Sequence, residues 1–234
     1  MSKPDFSQLA GKFGWPLKRL ELLEQAFTHR SYLNEHLQAA GLGHNERLEF
    51  LGDAVLELAV TEFLFQKYPA ANEGVLTAYR SALVNTETLA ETASELGLND
   101  YLRLSKGEAR DTGRARAVIL ANTFESLIGA LFLDLGYQAA ADFIAKYLLP
   151  RADGVANGES WQDAKSFFQE LAQARLSITP HYQVLSETGP DHDKVFTVGL
   201  YLGEELAATG QGPSKQRAEQ EAASQGLKRK DWNK

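Results

Sequence analysis

Residues in the first 150 positions show apolar periodicity of three to four residues, the spacing of an amphipathic α-helix. The clearest examples are Leu48, Leu51, Val55 and Leu58, followed by Ile119, Thr123, Leu127, Ala130 and Leu131. Gly97 and Gly136 each follow such a run and are typical helix ends. Because no convincing alternation with a period of two residues occurs here, we predict that residues 1–150 form an all-helical domain.

The pattern changes after residue 150. Residues 151–160 lack apolar periodicity and are rich in Gly, Asn and Asp, which is typical of a linker. The pattern beyond them favours a helix around 167–176, strands at 181–187, 194–202 and 206–210, and a helix over 214–230. We therefore predict an α+β multidomain protein, in which residues 161–231 form a second domain of order α-β-β-β-α.

The composition excludes several kinds of site. Since none of the 234 residues is Cys, a disulfide framework and thiolate metal sites are excluded. The start, Met-Ser-Lys-Pro-Asp, is too polar for a secretory signal peptide, and we expect no stretch to reach the roughly 20 apolar residues of a membrane span. We expect a soluble, cytoplasmic protein with no membrane partner.

The charge is distributed unevenly. A formal net charge of −7 argues against a general nucleic-acid coat protein. Residues 210–234, however, carry six Lys or Arg side chains against three acidic ones. From charge alone, this basic end is equally consistent with a solvated helix face and with a surface for an anionic partner.

Three carboxylates form one face of a predicted helix. Glu46, Glu49 and Asp53 are spaced i, i+3, i+7, which places them within roughly 60° of one another around a helix. Like charges so placed repel, and a purely structural helix gains nothing from them. Spacing alone favours a solvated acidic face, which Glu57 would continue.

A second polar patch favours a metal site instead. Asn122 and Glu125 lie three residues apart on an otherwise apolar helix, where a carboxylate is costly unless it is paired or bound to a cation. Gly52 lies inside the acidic helix and indicates close approach of a neighbour. If the two helices pack together, their oxygens suit Mg²⁺, with Mn²⁺ as a substitute, for phosphodiester hydrolysis.

The residues around this patch resemble the ribonuclease III family. The segment Asn45-Glu-Arg-Leu-Glu-Phe-Leu-Gly-Asp53 is similar to the family signature. Four other segments agree with it in order and spacing: Thr28-His-Arg-Ser31, Asn72-Glu-Gly74, Arg80-Ser-Ala-Leu-Val84 and Ala121 to Asp134. The resemblance covers nearly the whole chain and implies an all-helical endonuclease domain.

The resemblance implies roles for individual residues. Glu49 and Glu125 match the metal-binding carboxylates, and Asp53 matches the acid that is essential for hydrolysis together with Glu125. Glu46 and Glu73 match acids that line the cleavage valley near the RNA. Phe50 matches an aromatic residue that inserts into the partner subunit, although core packing explains this residue equally well without the family.

One position departs from the family pattern. The family usually has Asp at the metal-ligand position before Glu125, and this chain has Asn122. A neutral amide oxygen still ligates Mg²⁺ or orients a metal-bound water, but it supplies less charge. We therefore expect weaker metal affinity rather than loss of activity.

Residues 161–230 resemble a double-stranded RNA-binding domain. The segment Thr188 to Phe196 matches the loop between the first two strands of that domain, and Gly210 to Glu219 matches the start of its last helix. The residues that the resemblance assigns to RNA contacts are Gln169, Glu170, His192, Ser214, Lys215 and Arg217. The family prefers two adjacent Lys after the Ser, where this chain has Gln216. The alternative is a module of the same fold that mediates protein contacts.

Together these features predict a Mg²⁺-dependent endonuclease specific for double-stranded RNA. By resemblance, it forms a homodimer, leaves 5′-phosphate and 3′-hydroxyl ends, and processes precursor rRNA and structured mRNA. The competing hypothesis is a non-catalytic binder of double-stranded RNA. Asn122 is the feature that favours it.

Overall fold

Helices make up the described structure of the first 157 residues, and a three-stranded sheet with two helices follows. The computed structural model describes residues 4–36, 41, 43–157, 164–189 and 194–232. The helices are α1 (Phe6–Phe13), α2 (Leu20–Ala26), α3 (Arg30–Glu35), α4 (Glu46–Lys67), α5 (Glu73–Val84), α6 (Thr86–Glu95), α7 (Arg114–Leu135), α8 (Tyr137–Tyr147), α9 (Ala152–Asn157), α10 (Ala164–Leu176) and α11 (Lys215–Arg229). The strands are β1 (His181–Thr188), β2 (Val195–Leu202) and β3 (Glu205–Gly212). The predicted α+β fold class and the α-β-β-β-α order are confirmed.

The described residues divide into two compact units. The first contains residues up to Phe63 together with Leu83–Pro150, and the second contains Leu64–Ala82 together with the residues from Arg151 onward. Helices α4 and α5 therefore each contribute to both units.

Helices α4 and α7 cross in the first unit with their backbones in contact. A methyl group added to Gly52 would overlap the carbonyl oxygen of Glu125, and one added to Gly129 would overlap the carbonyl oxygen of Leu48. Such an approach is open only to residues without a Cβ. The close neighbour that Gly52 indicated in the sequence is therefore α7, and its own glycine faces Gly52.

A buried hydroxyl group also ties these two helices together. Ser126 is fully buried on α7, and its hydroxyl lies 2.7 Å from the carbonyl oxygen of Asn122 and 3.3 Å from that of Asn45. The Asn45 carbonyl in turn accepts the backbone N–H of Glu49 at 2.9 Å. The first turn of α4 is thus held at a fixed position along α7.

The predicted ends of two helices are confirmed. Gly97 follows α6 and Gly136 follows α7, with φ angles of 71° and 87° that favour glycine. One expectation about α7 was wrong, because this 22-residue helix is long and apolar enough to cross a membrane by length and composition. Most of it is buried in the first unit, as expected of a central core helix.

The sheet of the second unit has the order β1-β2-β3 and is antiparallel throughout. The strand at 194–202 was predicted from the alternation of Phe196, Val198 and Leu200; Val198 and Leu200 are buried, whereas Phe196 is only half-buried. On α10, Phe168 stacks on Trp232 with ring centroids 5.0 Å apart. A methyl group on Gly210 of β3 would lie 2.5 Å from the Ala218 carbonyl oxygen, so β3 packs closely on α11.

Two further expectations needed correction. Residues 151–160 are not a structureless linker at their start, because α9 covers Ala152–Asn157 and buries Ala152 and Val155; residues 158–160 lie outside the described residues. Leu58 is 57% exposed, although it was expected on the apolar face of its helix. Ten residues separate it from Leu48, and this rotates its side chain by roughly 80° away from the buried face.

We predict that Gly52→Ala lowers the free energy of unfolding by about 1–3 kcal/mol, because the new methyl group forces the α4 and α7 backbones apart. Gly11→Ala is the matched control, since a methyl group there meets nothing within 4 Å and replaces a helical glycine. This control should gain roughly 0.5–1 kcal/mol. Urea unfolding of both variants tests the contact, and similar changes in both would contradict it.

Candidate active site

The first turns of α4 carry the acidic face predicted from the sequence. Glu46 and Glu49 lie in the first turn and Asp53 lies one turn later; Glu49 is half-buried and the other two are exposed. The positive end of the helix dipole stabilises carboxylates in a first turn. The helix therefore does gain from Glu46 and Glu49, contrary to the expectation based on repulsion alone.

The backbone contact with α7 brings Asn122 and Glu125 to these carboxylates. Burial, with further contributions from Asp53 and Glu49, raises the pKa of Glu125 to about 7. Burial and Glu46 also raise the pKa of Glu49, whereas the polar side chain of Asn122 lowers it. We call Glu49, Asp53, Asn122 and Glu125 the acidic cluster.

The part of the chain that the structure describes offers no cation to balance the charge of the acidic cluster. Among the described residues, no Lys, Arg or His lies within salt-bridge distance of Glu49, Asp53 or Glu125. Glu46, at the edge, pairs with Arg30 at 3.5 Å. Buried carboxylates are normally paired or bound to a cation, so the donor set fits a divalent ion.

The side chains of the acidic cluster do not by themselves form a complete coordination shell. Within the described part of the chain, no three acidic or histidine side chains stand at metal-ligand geometry. Mg²⁺ usually takes only one or two carboxylates and keeps several waters. Two carboxylates and an amide oxygen are therefore compatible with a Mg²⁺ site whose remaining ligands are waters.

Phe50 is not part of the core of this chain. Its side chain is 82% exposed, which excludes the core-packing explanation within one molecule. Leu58 and Phe65, on the same side of α4, are 57% and 71% exposed. Large apolar side chains grouped on one helix are typical of a protein interface.

The residues expected at an RNA surface lie mostly exposed in the second unit. Glu73 begins α5, and on α10 Gln169 is exposed and Glu170 half-buried. Ser214 caps α11 by accepting the N–H of Arg217 at 3.2 Å. His192 lies outside the described residues.

Two cationic side chains extend from the first turn of α11. Arg217 and Lys215 are both exposed. The Lys215 ammonium lies 3.4 Å from a carboxylate oxygen of Glu187 and 5.8 Å from the centre of the Phe196 ring. The predicted donors therefore do flank a helix N-terminus, where phosphate is favoured, although Glu187 competes for one of them.

The sequence patterns did not reveal two residues that position the acidic cluster. Gly129 stands against α4, and Ser126 links the two helices. Gly129 could have been found from the sequence, because it is a glycine in an apolar helix four residues after Glu125. Nothing in the sequence marked Ser126, because serine is common on helix surfaces.

Comparison with known proteins identifies related sequences for both halves. A family model described as Ribonuclease-III-like matches residues 20–152, and one described as a double-stranded RNA binding motif matches residues 164–230. A ribonuclease 3 of Bdellovibrio bacteriovorus is 44% identical over 95% of this chain and 94% of its own length. A ribonuclease 3 of Enterococcus faecalis is 43% identical over 95% and 96%.

A solved structure is also similar. The nuclease domain of a ribonuclease III from Campylobacter jejuni is 35% identical, with a TM-score of 0.56, over 62% of this chain and 97% of that domain. Its description refers to a region involved in dimer formation.

We predict that Glu125 makes the protein less stable as the pH rises, when divalent ions are removed with EDTA. Its pKa of about 7 in the folded protein exceeds the ordinary value of 4.5. The folded state therefore binds more protons between these values, and the free energy of unfolding falls across that window. In Glu125→Gln this loss is absent.

Thermal unfolding between about pH 5 and pH 8 measures the effect. The unfolding midpoint of Glu125→Gln should rise relative to the unsubstituted protein as the pH increases. Glu21→Gln, an exposed change of the same charge in the same unit, should show no such trend. A constant difference for Glu125→Gln would contradict the burial of an ionisable carboxyl group at this position.

Proposed function

Because the chain belongs to the ribonuclease III family, we propose that it is an endonuclease that hydrolyses double-stranded RNA at the acidic cluster. The observation that carries this proposal is the position of Glu125, partly buried beside Glu49 and Asp53, with no cation among the described residues to balance the charge. A structural site would not gather carboxylates in this way. A site that binds a divalent cation and a phosphodiester would gather carboxylates in this way.

Glu49 and Glu125 would hold the divalent ion, with the amide oxygen of Asn122 available beside them. Mg²⁺ fits these hard oxygen donors, and Mn²⁺ is the expected substitute. When bound, such an ion activates water and stabilises the leaving oxygen of a phosphodiester.

Asp53 has a different role in this proposal. It is exposed and adjoins Glu125, so its carboxylate faces solvent and accepts a hydrogen bond from the attacking water. The water oxygen would bond to phosphorus while the bond to the 3′ oxygen breaks; the water would give up one proton to solvent, and the 3′ oxygen would take up one proton from solvent. The products then carry 5′-phosphate and 3′-hydroxyl ends.

The second half of the chain supplies the preference for double-stranded RNA. Its motif binds double-stranded RNA in the proteins that define it. We assign Gln169 and Glu170 to the minor groove, and Ser214, Lys215 and Arg217 to phosphates. A-form RNA offers such modules its shape, phosphates and 2′-hydroxyls rather than base edges. Contacts from His192, and from Glu46 and Glu73 beside the cleaved strand, remain predictions from the family resemblance.

Two copies of the chain would form a homodimer through the exposed side of α4. Phe50 would insert into the partner, because a side chain that is 82% exposed gains most from burial in an interface. A dimer has two acidic clusters, one for each strand of the duplex. We expect precursor rRNA and structured mRNA as substrates, and the cytoplasm as the location.

The alternative, a non-catalytic RNA binder, is not favoured. The one feature that favours this alternative is Asn122, which replaces the usual Asp. The carboxylates Glu49, Asp53 and Glu125, which favour catalysis, are all present. The similar full-length relatives are named as ribonucleases.

We predict that Glu125→Gln reduces cleavage of long duplex RNA by at least about 100-fold, because the variant loses a carboxylate ligand. Binding of the duplex in a gel-shift assay should stay within about twofold, since the second half of the chain is unchanged. Glu21→Gln serves as the matched control and should cut normally. The unsubstituted protein should cut with Mg²⁺ and not with EDTA; intact, shifted RNA in both lanes would favour the non-catalytic binder.

We predict that Phe50→Ala weakens dimerisation at least about tenfold, because truncation of a central aromatic residue at an interface typically costs more than about 1 kcal/mol. Sedimentation velocity over a concentration series measures the change. Leu133→Ala, at an apolar residue of α7 that is 43% exposed, should leave the dimer intact. Equal dimerisation of both variants would exclude Phe50 from the interface.

A further inference from the structure

Two aromatic side chains join α5 to α10 in the second unit. The rings of Tyr79 on α5 and Phe167 on α10 stack with their centroids 5.9 Å apart and an angle of 13° between their planes. Only 5% of Tyr79 and 4% of Phe167 is exposed, so the contact excludes water. Tyr68 lies edge-on to the Tyr79 ring at 5.1 Å. Phe167 therefore belongs to an aromatic cluster that extends beyond the residues matched by the RNA-binding motif.

The two helices also approach each other closely at a second point. A methyl group added to Gly74 on α5 would overlap the Cβ atom of Ala174 on α10, so the missing side chain of Gly74 lets the helices touch. Phe167 and Ala174 are seven residues apart, which places them within roughly 20° of each other around α10. One side of α10 therefore faces α5 at both contacts.

The segment before α10 is anchored in the same unit. The Tyr68 hydroxyl donates a hydrogen bond to the carbonyl oxygen of Ala152 at 3.4 Å, and the Lys67 ammonium lies 2.5 Å from a carboxylate oxygen of Asp153. Ala152 and Asp153 belong to α9, at the start of the region that the sequence predicts to be a linker. Contacts at α9 and at α10 thus hold the second half of the chain on Leu64–Ala82.

The exposed side of α10 points away from α5. Gln169 is exposed and follows Phe167 by two residues, which turns its side chain roughly 160° away from the contact. A third side of α10, which carries Phe168, Leu171 and Ala172, is fully buried. Docking of α10 on α5 therefore leaves Gln169 open to a partner.

Polar residues of both helices directly adjoin the contact. Glu73 precedes Gly74, and Gln173 precedes Ala174; both of these polar residues are exposed. A carboxylate and an amide oxygen each accept hydrogen bonds, and the 2′-hydroxyls of duplex RNA donate them. The residues beside the contact are therefore suited to the ribose groups of RNA.

We propose that α5 and α10 form one surface for duplex RNA, in which the RNA-binding half is docked through Tyr79, Phe167 and Gly74 and binds RNA in that docked form. This inference rests on the proposed function in assigning Glu73 and Gln169 to RNA. A surface that is assembled before RNA arrives binds more tightly than one that must be ordered by the RNA, because ordering lowers the affinity.

A disulfide between the two helices tests the docked form. Because this chain has no Cys, Gly74→Cys with Ala174→Cys supplies the only thiol pair, and the two Cβ atoms need a separation of only about 3.8 Å. We expect the RNA-free double variant to oxidise almost completely in air. In EDTA its oxidised form should bind duplex RNA within about twofold of its reduced form, which is the matched control.

Two results of this experiment would overturn the proposal. A double variant that stays mostly reduced would show that the helices are not docked in solution. A larger loss of RNA binding in the oxidised form would show that RNA requires α10 to leave α5.

Removal of the aromatic contact tests what docking contributes to RNA binding. Tyr79→Ala should weaken duplex binding about fivefold to tenfold, whereas Tyr79→Phe keeps the ring and should stay within about twofold. When Tyr79→Ala is combined with the two Cys substitutions, oxidation should restore the binding. Unchanged binding by Tyr79→Ala would contradict the proposal, and so would a loss that the disulfide does not restore, since Tyr79 would then only support folding.

Failure of the proposed function gives a different result. A chain that binds duplex RNA but leaves it intact with Mg²⁺ would contradict the proposed cleavage. The comparison of oxidised and reduced forms in EDTA would still decide whether α5 and α10 form one RNA surface.

Discussion

The contact between the backbones of α4 and α7 is the constraint on which the rest of the first unit depends. Gly52 and Gly129 face each other across this crossing, and a side chain on either would overlap a carbonyl oxygen of the other helix. The crossing fixes where the first turns of α4 stand relative to the middle of α7. The acidic cluster follows directly, because Glu49 precedes Gly52 by three residues and Glu125 precedes Gly129 by four.

The packing of the helices thus gathers negative charge that no Lys, Arg or His of the described residues pairs with at Glu49, Asp53 or Glu125. Glu49 and Glu125 are partly buried beside other carboxylates, and the pKa of each of the two is raised in consequence. A divalent cation relieves this repulsion and is also the species that phosphodiester hydrolysis requires. The stability of the fold and the proposed chemistry of the site are therefore linked through the same few side chains.

Much of this arrangement was predictable from the sequence, because it follows from local patterns. The helical period, the positions of Gly97 and Gly136 after apolar runs, and the alternation in β2 indicated the elements and the fold class. Gly52 indicated the crossing in the sequence itself. Glycine destabilises a helix interior, so its presence there indicates that a neighbouring backbone approaches closely. The helical start of the segment at Ala152 was missed because it depends on contacts that periodicity does not encode. The exposure of Leu58, by contrast, follows from the helical period itself, which turns Leu58 roughly 80° away from Leu48.

The central claim is that the crossing at Gly52 and Gly129 places Glu49 and Glu125 on one divalent ion. Anomalous X-ray scattering from crystals grown with Mn²⁺ tests it most directly. The account predicts one strong peak in each acidic cluster, with carboxylate oxygens of both Glu49 and Glu125 about 2.1 Å away. A peak bound elsewhere, or one held by Glu46 and Asp53 without Glu125, would contradict it.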